Sequence, residues 1–422
     1  MNVALARARL HYPVPRTFSV TLLQQDAPMS AKIASAAFVF LAAGTLAAQA
    51  PTTAYIVTRL GVDTVGIERY TRTNNKLEGD LVLRYPRVQT YHYVAALGPR
   101  GEIKSMTTTV RRQGTDPSAP PLRRTVSTFG DSIAVIEVQR NGKADTALTG
   151  RKSYHGMVSP TLSTEPAAYG IYEQTLSSAR LGRDSVVYAL VGPGNGPVPA
   201  IILRRRGADS VAFTSTFFPN WTEVARVDSR GRIMGLNATA TTVKTIAERV
   251  PSLDFDNVVG RWAAYEAAHG GAIGQMSPPD TAKAAIGAAN ISVAYSRPAK
   301  RGRAIFGNVV PWGQVWRTGA NAATVFTTDR DLSFGTTVLP AGKYTLWTLP
   351  TPTGAKLIIN SETGQWGTDY HADKDFARLD LTTTKLSQPI EQFVIGIVSR
   401  GSGGVLRMAW DDREYTIPFT VK

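Results

Sequence analysis

The 422-residue chain has no cysteine, which excludes disulfides, thiolate metal sites, cysteine nucleophiles and lipidated cysteines together. Stability must come from the core alone. Histidine is scarce, with five in the whole chain. His11 precedes the mature sequence, His92 sits in the aromatic strand "TYHYV", His155 lies in "SYHGMVS", and His269 ends a predicted helix, where it complements the helix dipole. No H-E-x-x-H, G-x-S-x-G, P-loop or dinucleotide fingerprint occurs. No cofactor is therefore expected, and nothing local assembles a catalytic triad.

Acidic residues are also short, 32 against 47 Lys and Arg, giving a formal charge of +15 and a pI near 10.0. Such a field favours anionic partners. The basic residues are scattered, however, with one tight cluster at Arg204, Arg205 and Arg206. Without a basic helix or a nucleic-acid-binding motif, nucleic acid is not an expected partner. An alkaline exported protein is the plainer reading.

Long apolar runs are missing, with one informative exception. "MSAKIASAAFVFLAAGTLAAQA" (29–50) has a short polar start with Lys32, an apolar stretch and an Ala48-Gln49-Ala50 ending. That is the pattern of a signal peptide with an A-x-A cleavage site. The stretch falls short of the ~20 residues that span a bilayer. The expectation is a leader over 1–50, with the true start at Met29 and cleavage after Ala50. The mature chain is expected to be exported, periplasmic or secreted, without a transmembrane span.

What is present is abundant Thr, Val and Gly in short alternating runs, with a hydrophobic fraction of 43% that suits a globular β protein. Turn signals recur: Gly98 to Gly101, Asn141-Gly142, "DSRG" (228–231) and "GSGG" (401–404) each separate two strand-like runs. "STEPAAYGIYEQTLSSARLG" reads as a helical insertion. "SLDFDNVVGRWAAYEAAHGG" reads as a helix capped by Asp254 or Asp256 and ended by Gly270, with Val258, Val259, Trp262 and Tyr265 on one side. The expected fold is mainly β. An N-terminal antiparallel meander over 51–250 curls into a barrel or half-barrel, a short helix and linker cover 251–288, and a C-terminal β-sandwich covers 289–422.

Four separated stretches of the C-terminal half carry a resemblance: "YSRPAKRGRAIFGNVVPWGQVWRTGANAATVF" (295–326), "LPAGKYTLWTLP" (339–350), "LIINSETGQWG" (357–367) and "MAWDDREYTIPF" (408–419). In this order they resemble the DUF2911 family, a bacterial and mostly exported domain of unknown function. The resemblance covers nearly all of 289–422 and does not reach 51–270. Its pattern falls on Tyr295, Ser296, Arg297 and Pro298, then Gly302, Arg303, Phe306, Gly307 and Pro311, and then Trp316 through Asn321 and Thr324. The family commonly has an acid after the asparagine, where this chain has Ala322, so the resemblance implies no carboxylate role there.

"WRTGAN" (316–321) is the richest stretch chemically. Trp316 and Arg317 are neighbours, so on a strand they point to opposite faces. If Arg297, Arg303 and Arg317 converge, they form a planar cationic site for carboxylate, phosphate or sulfate. Trp312 could stack on a sugar ring or a guanidinium, and Asn321 suits a turn with φ > 0. The alternative is a structural corner, with the arginines bound to loop carbonyls and the tryptophans in the core. A second stretch, "GTDYHADKDFARLD" (367–380), alternates Asp369, His371, Asp373 and Asp375. An extended segment would bring these to one face for a hard cation or acid–base work; otherwise it is a solvated turn.

Three functions remain in play. The first is a non-catalytic binding protein with an Arg/Trp-lined site for an anionic small molecule, glycan or lipid. The second is a lipid or apolar-ligand carrier that uses the N-terminal sheet as its container. The third is an envelope hydrolase with an unrecognised site.

Overall fold

Runs such as ANISVAYS (289–296) alternate buried and outward positions, so pairing side by side buries one face of the strand. The computed structural model describes residues 52–160, 168–179, 185–189, 200–216, 221–270 and 275–422. The leader expected over 1–50 lies outside them. The first strands are β1 (Thr52–Leu60), β2 (Asp63–Arg72), β3 (Lys76–Leu83), β4 (Gln89–Leu97), β5 (Ile103–Arg112), β6 (Arg123–Phe129), β7 (Ile133–Arg140) and β8 (Lys143–Ala144). After β9 (Gly150–Ser153) and β10 (Met157–Ser159) comes helix α1 (Tyr169–Ser178). Then follow β11 (Ser185–Ala189), β12 (Ala200–Arg205), β13 (Ser210–Ser215), β14 (Thr222–Val227), β15 (Ile233–Asn237) and β16 (Ile246–Val250). The hairpins expected at Gly98 to Gly101, Asn141-Gly142 and 228–231 join β4 to β5, β7 to β8 and β14 to β15. Asn141 and Gly142 both have positive φ, 48° and 77°, as a tight two-residue turn requires.

These strands form one sheet in the order β10 through β16, then β1 through β8, with β9 on β7. Pairing of β1 with β16, Tyr55 opposite Val250, stitches the two runs together. The two ends of this path do not pair among the described residues, so the sheet does not close into a barrel. It is curved nonetheless. Thr175 of α1 reaches Ser159 of β10 at 2.9 Å, and its neighbour Gln174 reaches the carbonyl of Gly101, in the β4–β5 turn, at 2.6 Å. Ten strand steps separate β10 from β4, about 48 Å in a flat sheet, whereas a ten-residue helix is about 15 Å long. The sheet therefore wraps α1, and Tyr169, Ile171, Tyr172 and Leu176 share a core with side chains from β1–β7 and β11–β16.

The helix also brings charge inside. Ala168 caps α1 without a side-chain bond, and a carboxylate from the sheet replaces it. Buried Glu68 of β2 accepts the backbone N–H groups of Tyr169 (2.7 Å) and Gly170 (3.1 Å) and the Tyr93 hydroxyl (2.6 Å). Glu173 accepts the N–H of Ile233 at 2.7 Å and pairs with Arg249, which also holds the Tyr70 hydroxyl. Glu223 of β14 accepts the Tyr172 hydroxyl at 3.3 Å. Burial outweighs these hydrogen bonds and pushes both Glu68 and Glu223 up to about 7.

On the outer face lies α2 (Phe255–His269), ended by Gly270 in the left-handed region as the sequence predicts. Phe255, Val259 and Trp262 pack on Val57, Ile67, Val82 and Val88, each large side chain contributing about 1.5–3 kcal/mol. Tyr265, expected on the same apolar side, is 43% exposed and instead lies over the guanidinium of Arg84.

The second sheet begins earlier than expected. Residues 279–286, read as linker, form β17 (Pro279–Ile286), paired along its whole length with β18 (Ala289–Ser296). The rest are β19 (Thr324–Thr328), β20 (Leu332–Phe334), β21 (Thr337–Leu339), β22 (Gly342–Pro350), β23 (Ala355–Asn360), β24 (Asp375–Arg400) and β25 (Gly403–Val421). Their order is β17-β18-β19-β22-β23-β24-β25-β20-β21. The layers of the expected sandwich are thus halves of one hydrogen-bonded sheet. The 26-residue β24 pairs with β23 through 375–381 and with β25 beyond that, bulging at Lys385/Ile390 and Ile390/Val394. Strands from both ends of the path share one core.

Both sheets belong to one compact unit, Ala50–Lys422. They meet turn to turn: the Val62 N–H donates to Arg301 O at 3.0 Å, and Arg301 pairs with Asp63 at 2.5 Å.

The buried carboxylates set a pH dependence. A carboxyl whose folded pKa is raised adds stability that is full below its unfolded pKa, near 4.5, and is lost as pH rises through about 7. A shift of that size corresponds to roughly 3 kcal/mol per group. Glu223→Gln, a neutral isostere, is expected to match the parent melting temperature at pH 5 and exceed it at pH 8. Parallel melting profiles for the two proteins would remove the buried carboxyl from this account.

Candidate functional site

A cleft of about 910 Å³ opens where the two sheets meet. The N-terminal sheet contributes Leu60, Tyr85 and, from the β15–β16 loop, residues 239–240 and 242–245. The second sheet contributes much of the 308–321 stretch, Arg303, and the 366–370 turn. Three cations, Lys244, Arg303 and Arg317, line the cleft, and no Asp or Glu appears among its described lining residues.

Trp316 and Arg317 divide their labour as neighbours on an extended segment do. Trp316 pairs its backbone with Thr348 on both sides, at 2.8 Å each, and its ring stacks on Trp410 (5.9 Å) and meets Phe393 edge-on (5.1 Å). It is core, with its margin on the cleft. Arg317 is half-buried, and its stem runs over Gly367, where an added Cβ would sit 2.3 Å from Arg317 Cδ. Its Nη1 is sealed from solvent and hydrogen-bonds to nothing among the described residues. Desolvation pushes this guanidinium down from its ordinary range.

The other predicted residues separate into two groups. Arg303 lines the cleft while donating to the carbonyls of Lys300 (3.0 Å) and Ala299 (2.6 Å). Asn321 lines it in the left-handed region, φ 60°, with its amide on Ser296 Oγ (3.3 Å). Arg297 and Trp312 are not among the lining residues. Arg297 is engaged by Asp280 at 3.3 Å and by the Phe393 carbonyl at 3.2 Å. Trp312 stacks on Phe306 at 5.7 Å beneath the Arg413 guanidinium. The three arginines of the motif therefore do not all converge.

The Asp369, His371, Asp373 face does not form. A 3-10 turn at Ala372–Lys374 interrupts the extended backbone that alternation required. His371 Nδ1 instead pairs with Glu362 at 2.7 Å, Asp373 with Lys374 at 3.3 Å, and Asp369 accepts the Thr368 hydroxyl at 3.3 Å. Glu362 raises the His371 pKa, and the pair stands in solvent. Among the described residues no cluster of three His, Asp or Glu could hold a metal ion.

Residues 277–419 match DUF2911, a protein family of unknown function. The match leaves the N-terminal sheet unassigned. A DUF1089-family protein from Pseudomonas aeruginosa is similar in structure at 13% identity, over 41% of this chain and 90% of that one. Its TM-score of 0.28 is too low to carry any argument. No curated protein matches the chain.

The cleft draws Arg303, Arg317, Asn321 and Trp366 from the DUF2911 segment, but Tyr85 and Lys244 from outside it. Lys244 and Trp366 were not candidates from sequence. Lys244 is set by a Thr-rich loop with φ 58°, its Nζ donating to Thr239 O at 2.8 Å. Burial lowers its pKa, and the charges of Arg317 and Arg303 lower it further. Trp366 is 43% exposed.

Next to the cleft-lining residues Leu60 and Arg303, the turns of the two sheets touch. Gly61 has φ 60°, and a Cβ there would meet Arg301 O at 1.9 Å. Gly114 has φ 78° and open space around it. Left-handed backbone alone costs an alanine about 1–2 kcal/mol. Gly61→Ala is therefore expected to destabilise the protein well beyond Gly114→Ala in chemical denaturation. Equal losses would mean that the contact between the turns contributes nothing.

Proposed function

We propose that this chain is an exported, non-catalytic binding protein that takes an anionic small molecule into the cleft between its two sheets. The observation that carries this reading is Arg317, a buried guanidinium nitrogen without a partner, in a cleft with three cations and no acid among its described lining residues. A buried donor left without an acceptor costs about 1–3 kcal/mol. Structural arginines find carboxylates or carbonyls, as Arg297 and Arg249 do here. A bound anion would supply the missing acceptor and reverse the downward pressure on Arg317 and Lys244. Export rests on the signal pattern of residues 29–50.

The other readings have less support. The concave side of the N-terminal sheet is filled by α1 and buried carboxylates, which suits a plugged shell better than an apolar container. The His371–Glu362 pair is outside the cleft lining, with no nucleophile among its hydrogen-bond partners.

Thermal shift of the full chain with sulfate, inorganic phosphate and glucuronate tests the proposal, with Arg317→Met in parallel. An anion at a hundredfold its Kd adds about 2.7 kcal/mol of stability. The parent is expected to respond to at least one of the three anions, and Arg317→Met to lose that response. Because the variant removes a half-buried charge whose Nη1 has no acceptor among the described residues, and keeps the stem over Gly367, its unliganded melting temperature should equal or exceed the parent's. A variant that melts lower and still responds fully would make Arg317 a purely structural residue.

A further inference from the structure

The same site has features that an acceptor for a single carboxylate would not need. They lie on both sheets, and they narrow the ligand.

The first is the charge count. One carboxylate among Lys244, Arg303 and Arg317 leaves two positive charges unbalanced, whereas a phosphate monoester brings −1.5 to −2 at neutral pH and three acceptor oxygens. The second is the backbone. Thr318, Gly319 and Asn321 have φ of 52°, 154° and 60°. The N–H groups of the cleft-lining residues Gly319, Ala320 and Asn321 have no acceptor among the described residues. Consecutive free N–H groups in a turn of this kind suit phosphate oxygens. The third is Trp366, on the cleft lining, 43% exposed and without a ring partner among the described residues. A free indole face of this kind accepts a ring.

The loop 239–245 adds a fourth feature. Thr241 Oγ1 bonds Ala238 O at 2.7 Å, and Asn237 Oδ1 holds the N–H of Thr239 at 2.9 Å. Lys244 is thus presented on a fixed loop in a left-handed conformation, the kind of local strain found where side-chain placement matters. One of its ammonium protons is used on Thr239 O. The other two have no acceptor among the described residues.

Resting on the anion-site reading above, we infer that the cleft takes a phosphate monoester carried on a ring, and that Lys244 of the N-terminal loop selects the dianion over a monoanion. The DUF2911 segment supplies the two arginines, the turn and the indole. The sheet outside it supplies the residue that decides between anions, so neither half holds the complete site.

Isothermal titration of the full chain at pH 8 tests this with three probes. Phenyl phosphate has the ring and the dianion, inorganic phosphate the dianion alone, and benzoate the ring with a single charge. The parent is expected to bind phenyl phosphate at least tenfold more tightly than either of the others. Lys244→Gln should lose tenfold or more for both phosphates and under threefold for benzoate, while Lys244→Arg keeps most of the preference. Trp366→Ala should weaken phenyl phosphate and benzoate and leave inorganic phosphate unchanged. If anions bind and Arg317→Met abolishes binding, but Lys244→Gln leaves the phosphate-to-benzoate ratio as in the parent, the selection by Lys244 is overturned and the anion site stands. Benzoate binding as tightly as phenyl phosphate overturns the dianion assignment in the same way. A parent that binds none of the three overturns both.

Discussion

Two glycine-bearing turns touching backbone to backbone hold this molecule's architecture together. Gly61 lies against the Arg301 carbonyl, and Gly302 against the Val62 side chain, each at a distance that leaves no room for a Cβ. Around this contact the Val62–Arg301 hydrogen bond and the Asp63–Arg301 pair fix the angle between the sheets. The ion pair is partly shielded from solvent, so it is worth more than an exposed one, though its main effect is geometric. Each sheet has its own core, and this contact is where their turns meet.

Charge is sorted as firmly as hydrophobicity. In a chain with few acids, Glu68, Glu173 and Glu223 are spent inside the N-terminal sheet, where they tether α1 through its N–H groups, Arg249 and Tyr172. The helix has no side-chain cap of its own, so a carboxylate on β2 must serve. A buried carboxylate is expensive unless its oxygens are occupied, and each of the three has partners. The cleft shows the opposite arrangement, with cations gathered and no acid among the described lining residues. The first pattern is complete within the protein; the second has no carboxylate among the described lining residues.

How much of this could be read in advance follows from the range of each interaction. Hairpin turns are written locally, so Asn141-Gly142 and 401–404 are where the sequence puts them. The α2 stop at Gly270 is local too. Strand β17 was missed because its Ala and Lys residues have weak β preference and its outer positions are exposed; pairing with β18 holds it. The Asp369 to Asp373 alternation misled because a 3-10 turn breaks the period on which the argument depended. Arg317 and Asn321 were visible within one motif. Lys244 was not, because its relation to them crosses from one sheet to the other and leaves no spacing to detect.

That crossing bears on how such a cleft persists. Lys244 and Arg317 are each held partly out of water, and the charge of Arg317 helps to lower the Lys244 pKa. That repulsion acts between a residue of one sheet and residues of the other. On the proposed reading, an anion would turn that repulsion into attraction shared by both walls and would tighten the junction as it binds. Binding free energy would then appear partly as rigidity between the sheets, because any ligand that favours the closed arrangement stabilises it by mass action. A site confined to the second sheet could hold an anion without this effect. On that reading, placing one cation on the far wall would make occupancy and the fit of the two sheets a single equilibrium.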